Sequence, residues 1–286
     1  MFTGKGGVGK TTCSAAAALH YAADGRTLVI STDATPSLSH IFEITDKQKP
    51  AGLPSNLEIR EIVEHEIRQM WDAKFGREVY EVFSAFVDIE YEEFVEFMTS
   101  ILPGLGEEFM VDHIRELCLS GDYSNIVWDT APLGQTLSLL ETPALLAEHL
   151  RLAPRIYSKL KFGNRSKEPV LEILKRWQKL SAANMDFLRR DVDFTMVTIP
   201  EALAVAQLEG TLRELEKYGL SIKQIIINNV VKIEDSLFLQ TKSRQQRPYL
   251  KQIHEKYHDL KITELPLFPQ EIKGIVRLKE LGKILF

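Results

Sequence analysis

The 286-residue chain carries 35 basic and 40 acidic side chains, a net charge of −5, and 44% hydrophobic residues with only 16 Gly and 12 Pro. Disordered and collagen-like classes are excluded by that composition, and the missing basic surplus argues against a nucleic-acid partner. No apolar run approaches the roughly 20 residues of a bilayer span, and two cysteines, Cys13 and Cys118, are too few for a disulfide framework or a four-thiolate zinc site. A cytoplasmic protein without an export signal is expected, since Met1-Phe2-Thr3 runs straight into Gly4-Lys5-Gly6-Gly7.

In chain order, the Ala-rich stretch Thr11 to Tyr21 predicts a helix, and Thr27 to Ser31 predicts a short buried strand. Similar apolar runs follow at Asn125 to Trp128, Phe194 to Ile199, Gln224 to Asn228 and, more weakly, Lys261 to Leu267. Apolar strands separated by helices predict an α/β fold with a doubly wound, mostly parallel sheet. From Pro54 to Gly121, and again from Pro143 to Asp191, the pattern is helical throughout. We therefore expect a single phosphate-loop domain over residues 1–286, with a helical subdomain inserted at about 55–120 and 145–191. A strand should precede the loop, yet only three residues do; either it is a stub or the chain begins upstream of Met1.

Gly4-Lys5-Gly6-Gly7-Val8-Gly9-Lys10-Thr11 satisfies G-x-x-x-x-G-K-[ST], followed at once by Thr12 and the helix. The glycines let backbone N–H groups turn inward around phosphate oxygens, Lys10 supplies charge to the β and γ phosphates, and Thr11 offers a hydroxyl to Mg²⁺. Lys5, which an ordinary phosphate loop does not need, is placed to project toward the far side of the triphosphate. Asp129, ending an apolar run, is expected at a strand's carboxyl edge, holding Mg²⁺ through water, with a strand-ending turn aspartate as the alternative. Asp33 is expected at a similar edge, either orienting an attacking water or forming an Asx turn.

These segments resemble the family containing arsenical-pump-driving ATPases and the ATPases that target tail-anchored membrane proteins. The resemblance rests on GKGGVGKTT, STDATPSLSHIF, DTAPLGQTLSLL, IPEALAV, IINN and LPLFPQEIKG, found in that order, with ILPGLGEEF in the helical part. It implies an ATP- and Mg²⁺-dependent hydrolase acting as a homodimer across the nucleotide site, with Lys5 touching the partner's nucleotide and Asp33 positioning water. It also implies that Asn228 binds adenine, that the turn from Pro266 through Phe268 to Glu271 closes over the base, and that Asp129 opens a second switch. From its residues alone, Asn228 is equally a strand-end cap. This chain departs from the family's pattern at Ala34-Thr35-Pro36 and at Gln135, and it lacks paired cysteines for a zinc clasp.

The partners so implied are apolar transmembrane segments of client proteins, or a membrane-embedded partner, with no nucleic acid. An anion-pump subunit and a partition-type switch are the alternatives. Client binding draws on the apolar series Phe83, Phe86, Val87, Phe94, Phe97, Met98 and Ile101 with Met110 and Met185, although a helical core has the same spacing. His254-Glu255-Lys256-Tyr257-His258 matches a zinc-site spacing but reads as a solvated helix face. The C-terminal run from Ile272 to Leu285 reads as a helix packed on the sheet rather than on a membrane, and the acidic residues from Asp88 to Glu96 and the basic residues from Arg151 to Lys167 read as solvated surface.

Overall fold

A computed structural model describes residues 1–32, 37–45, 50–84, 89–101, 105–130 and 170–286. Seven strands form one parallel sheet: β1 (Phe2–Thr3), β2 (Thr27–Ser31), β3 (Leu57–Glu61), β4 (Asn125–Asp129), β5 (Phe194–Thr198), β6 (Ile222–Val230) and β7 (Lys261–Pro266), in the order β3-β2-β4-β1-β5-β6-β7. The strand β2, TLVIS, is buried along its whole length because it has a neighbour on each side, with Thr27 opposite Leu57 and Asn125. Such doubly covered strands carry apolar residues at every position, which is why they stand out in the sequence.

One strand departs from the sequence-based expectation. The stretch read as helical from Pro54 begins with β3, LEIRE, which pairs in register with β2. Its Leu57 and Ile59 alternate with Glu58 and Arg60, the pattern of an edge strand whose charged residues block further pairing. The strand expected ahead of the loop is β1, whose two residues are too few to give a periodic signal of their own. Phe2 lies opposite Asp129 of β4 and Thr195 of β5, and the Met1 carbonyl accepts a hydrogen bond from Thr195 N at 2.9 Å.

Helix α1 (Lys10–Tyr21) presents Ala15, Ala16, Ala17 and Ala18, all fully buried, so its backbone lies close to neighbours on more than one side. The C-terminal helix (Ile275–Leu285) packs against it through Ile275, Leu278, Leu281 and Leu285. A Cβ on Gly282 would stand 3.4 Å from the Ala16 carbonyl oxygen, so the small residue admits this close approach. Val276 and Ile284, on the opposite side, are exposed.

Packing divides the chain into two compact units, one of Met1–Val63, Ser120–Thr136 and Val192–Phe286, the other of Glu64–Leu119 and Leu137–Asp191. The first also holds the short helix α2 (Leu38–Ile41), and the second contains helices α3 (Glu64–Trp71), α4 (Arg77–Phe83), α5 (Tyr91–Ile101), α6 (Leu105–Ser120) and α7 (Val170–Arg190), with a π-helical turn, Asp72–Gly76, between α3 and α4. Phe94, Met110 and Met185 are all buried in this unit. They serve its core, while Phe86, Val87 and the side chains of Phe83, Phe97, Met98 and Ile101 lie outside the described residues.

A buried ion cluster joins three of these elements. Asp112 on α6, 1% exposed, accepts from Lys74 Nζ of the π turn at 2.6 Å and from Arg115 Nη2 at 2.6 Å, and Arg115 Nε reaches Asn184 Oδ1 on α7 at 2.8 Å. Removing the shared carboxylate takes the buried anion from both cations, leaving Lys74 with the half-exposed Glu116 at 2.6 Å and Arg115 with the neutral Asn184 amide. Asp112→Ala should therefore lower stability by about 3 kcal/mol. Glu172→Ala, which breaks only an exposed pair with Lys175, should change it by less than about 1 kcal/mol. Urea unfolding of both variants checks the contrast.

Candidate functional site

The phosphate loop spans the gap from β1 to α1, at the carboxyl edge of the sheet, and its shape depends on missing side chains. Gly4 has φ of +146°, and a Cβ there would sit 2.1 Å from the Val197 carbonyl oxygen of β5. Gly9, the residue capping α1, has φ of +96°, and its Cβ would come within 2.5 Å of Asn228 Nδ2. Any other residue at either position meets both backbone strain and a fixed neighbour. Gly6 and Gly7 are exposed, Val8 is buried beneath the loop, and Thr11 and Thr12 are half-buried in the first turn of α1.

Lys10 is 6% exposed, and its Nζ donates to the Lys5 carbonyl at 3.2 Å, so its ammonium is held across the mouth of the loop. Lys5 itself is half-buried. Asp129 is fully buried at the end of β4 and accepts a hydrogen bond from Ser31 Oγ on Oδ2 at 3.2 Å. As the Cα partner of Phe2, it stands beside the strand from which the loop springs. Asp33, Ala34, Thr35 and Pro36 lie outside the described residues, as does Gln135.

Both flanks of the segment containing Asp33 are anchored. Thr32 N donates to the Asp129 carbonyl at 3.2 Å, and Trp128 Nε1 donates to Thr32 Oγ1 at 3.2 Å. On the other side, Glu61 at the end of β3 accepts from Leu38 N at 2.7 Å and from Ser39 Oγ. Nothing in the sequence singles out Glu61, because its partners belong to a different element.

Next to the loop is a cleft of about 340 Å³ lined by Thr12, Cys13, Asn228, Asn229, Phe268 and Gln270 among others. Pro266 ends β7 as the partner of Val230, and Phe268 reaches the cleft wall. Asn228 touches the loop directly: its Nδ2 donates to the Val8 carbonyl at 2.8 Å, and its Oδ1 accepts from Asn229 N at 2.9 Å. The HEKYH stretch engages protein partners instead of a metal, with His254 Nε2 2.7 Å from Glu264 Oε1. Among the described residues no group of three or more His, Cys, Asp or Glu could hold a metal ion, and no helix is long and apolar enough to cross a membrane.

A parallel sheet with a glycine-strained phosphate loop at its carboxyl edge defines the chain as a phosphate-loop nucleotide hydrolase. The chain belongs to the anion-transporting ATPase family, whose profile matches residues 1–286. It is similar to ATPase GET3A of Arabidopsis thaliana, 32% identical over 301 aligned positions that cover 96% of this chain and 80% of that protein. The putative arsenical pump-driving ATPase 2 of Aquifex aeolicus is 30% identical over 298 positions, covering 100% of this chain and 98% of that protein. ATPase GET3 of Clavispora lusitaniae is 31% identical over 311 positions, covering 99% and 87%. The chain is thus an ATPase.

Cys13 sits in the cleft wall and is buried, and desolvation together with the nearby Asp129 charge pushes its thiol up from 9.0 to about 12. At pH 8 that leaves about 10³-fold less thiolate than an ordinary cysteine would carry. In the native chain an alkylating reagent at pH 8 should label Cys118, which is exposed, and leave Cys13 unmodified until the fold is opened with urea. Peptide mapping of the labelled protein distinguishes the two.

Proposed function

We propose that the chain is a Mg²⁺-dependent, nucleotide-gated dimeric ATPase of the cytoplasm that handles apolar membrane-protein segments such as a tail anchor. The observation that carries the ATP-binding half is the loop itself, two glycines of which admit no Cβ and whose buried lysine spans its mouth. In this reading Gly4 to Thr12 cradle the phosphates, Lys10 exchanges the Lys5 carbonyl for β and γ phosphate oxygens, and Asn228 and Phe268 border the adenine. Asp33 orients the attacking water, and Lys5 reaches nucleotide held by the partner subunit. The helical insertions would then respond to nucleotide through the switch that begins at Asp129.

The donor set near the loop suits Mg²⁺. The hydroxyl of Thr11 and the buried carboxylate of Asp129, already oriented by Ser31, are hard oxygen ligands of the kind this ion takes directly or through water. When bound, the ion would neutralise charge on the β and γ phosphates.

The client half rests on the family resemblance and on cysteine chemistry. A soft metalloid calls for several thiolates, whereas this chain has two cysteines, one of them buried and held as a neutral thiol. The pump reading keeps two supporting observations, the anion-transporting description of the family and the similarity to the putative arsenical pump-driving ATPase 2 of Aquifex aeolicus. Arsenite separates the two: under the proposal it leaves ATP turnover unchanged, and under the pump reading it stimulates it.

Asp33→Asn should leave ATP affinity intact and slow turnover by about 10²-fold or more, measured by calorimetry and phosphate release. An unaltered kcat would reduce Asp33 to a turn residue. If Lys5 serves the partner's nucleotide, ATPase activity per subunit should rise with protein concentration, and Lys5→Ala should flatten that rise. A concentration-independent rate in the unmodified protein would reject the shared site.

A further inference from the structure

The end of β6 is irregular where it borders the cleft. Its register with β7 shifts between Ile227 and Val230, and Asn229 within that bulge has φ of +59°, a left-handed backbone that asparagine accepts more readily than most residues and glycine most readily of all. One side chain holds this kink. Gln246, 3% exposed on helix α9 (Leu237–Lys256), which follows α8 (Ala202–Lys217), donates from Nε2 to the Asn229 carbonyl at 2.9 Å and accepts from Val231 N on Oε1 at 2.9 Å. Both functions of its amide are spent on the peptide groups either side of Val230, the first of which carries the Asn229 carbonyl and so fixes the chain as it leaves the kink.

The kink fixes an amide that faces the cleft. Asn229 N donates to Asn228 Oδ1, while Asn228 Nδ2 donates to the Val8 carbonyl. A carboxamide free to flip matches adenine and guanine equally well, because exchanging its oxygen and nitrogen exchanges acceptor for donor. Held at both ends, the Asn228 amide presents one polarity only, with one Nδ2 hydrogen and one Oδ1 lone pair remaining.

We infer that Gln246 is a positioning residue for base recognition: it locks the left-handed turn at Asn229, whose N–H orients the Asn228 amide and so sets the preference between adenine and guanine nucleotides. This rests on the reading of the cleft as the base site. Gln246 lies beyond the loop's own contacts and acts through the Asn229 backbone.

The test compares ATP, GTP and magnesium tripolyphosphate, which lacks a base, by calorimetry on the full chain. Gln246→Met should bring the ratio of ATP to GTP affinity down by about 10-fold while leaving tripolyphosphate affinity unchanged. Gln246→Asn, which keeps a polar group but falls one methylene short of both partners, serves if the methionine variant does not fold, and should lower the same ratio. Asn229→Gly retains the backbone N–H and relieves the strain, so its ratio should stay at the unmodified value. An undiminished ratio in the folded Gln246 variant overturns the inference, as does loss of selectivity in Asn229→Gly, which would place the reading on that side chain instead. Equal binding of ATP and GTP by the unmodified protein would overturn the base-site reading itself.

Discussion

Close backbone approach at Gly4 is the constraint on which the remaining geometry depends. With its α-hydrogens 
against the Val197 carbonyl of β5, the chain leaves the centre of the sheet in a direction no side chain permits, and Gly9 then turns it into α1. A loop pinned at Gly4 and Gly9 before any phosphate arrives has less ordering entropy to lose on binding. The Asn228 amide ties the loop to β6 through the Val8 carbonyl at the sheet's carboxyl edge.

That anchoring extends outward in stages. Asp129 and Ser31 meet at the ends of β4 and β2, two neighbouring strands whose register places Ser31 opposite Asp129. From there Trp128 holds Thr32, and Glu61 holds Leu38 and Ser39, so the connection carrying Asp33 leaves and rejoins well-bonded backbone. Under the proposal that Asp33 orients the attacking water, such anchoring matters because general-base chemistry is sensitive to placement at the scale of a hydrogen bond. On the other flank, Gln246 performs the matching service for the Asn228 and Asn229 pair.

Much of this was legible in the sequence, for physical reasons that differ from residue to residue. Strands β2, β4, β5 and β6 announce themselves because burial on both faces demands continuous apolar runs, and the loop announces itself because its glycines and lysine follow the phosphate's shape. By contrast β3 is covered on one side only in the sheet and alternates like half of an amphipathic helix, and β1 is too short for any period. Glu61 and Gln246 were invisible for another reason: each acts on a backbone brought close by folding, from 22 or 23 residues away for Glu61 and from 15 or 17 for Gln246, and no local pattern records that. The apolar helical series carried the opposite ambiguity, since core packing at Phe94, Met110 and Met185 leaves the same spacing that a client-binding face would.

The central claim is that the strained loop and the buried Lys10 form an ATP site. Calorimetric titration of ATP and Mg²⁺ into Lys10→Ala, alongside the unmodified chain, tests it most directly, with circular dichroism to establish that both are folded. Loss of the ammonium from a low-dielectric cradle should weaken binding by about 10²-fold or more. Unchanged affinity in a folded Lys10→Ala protein would contradict the account.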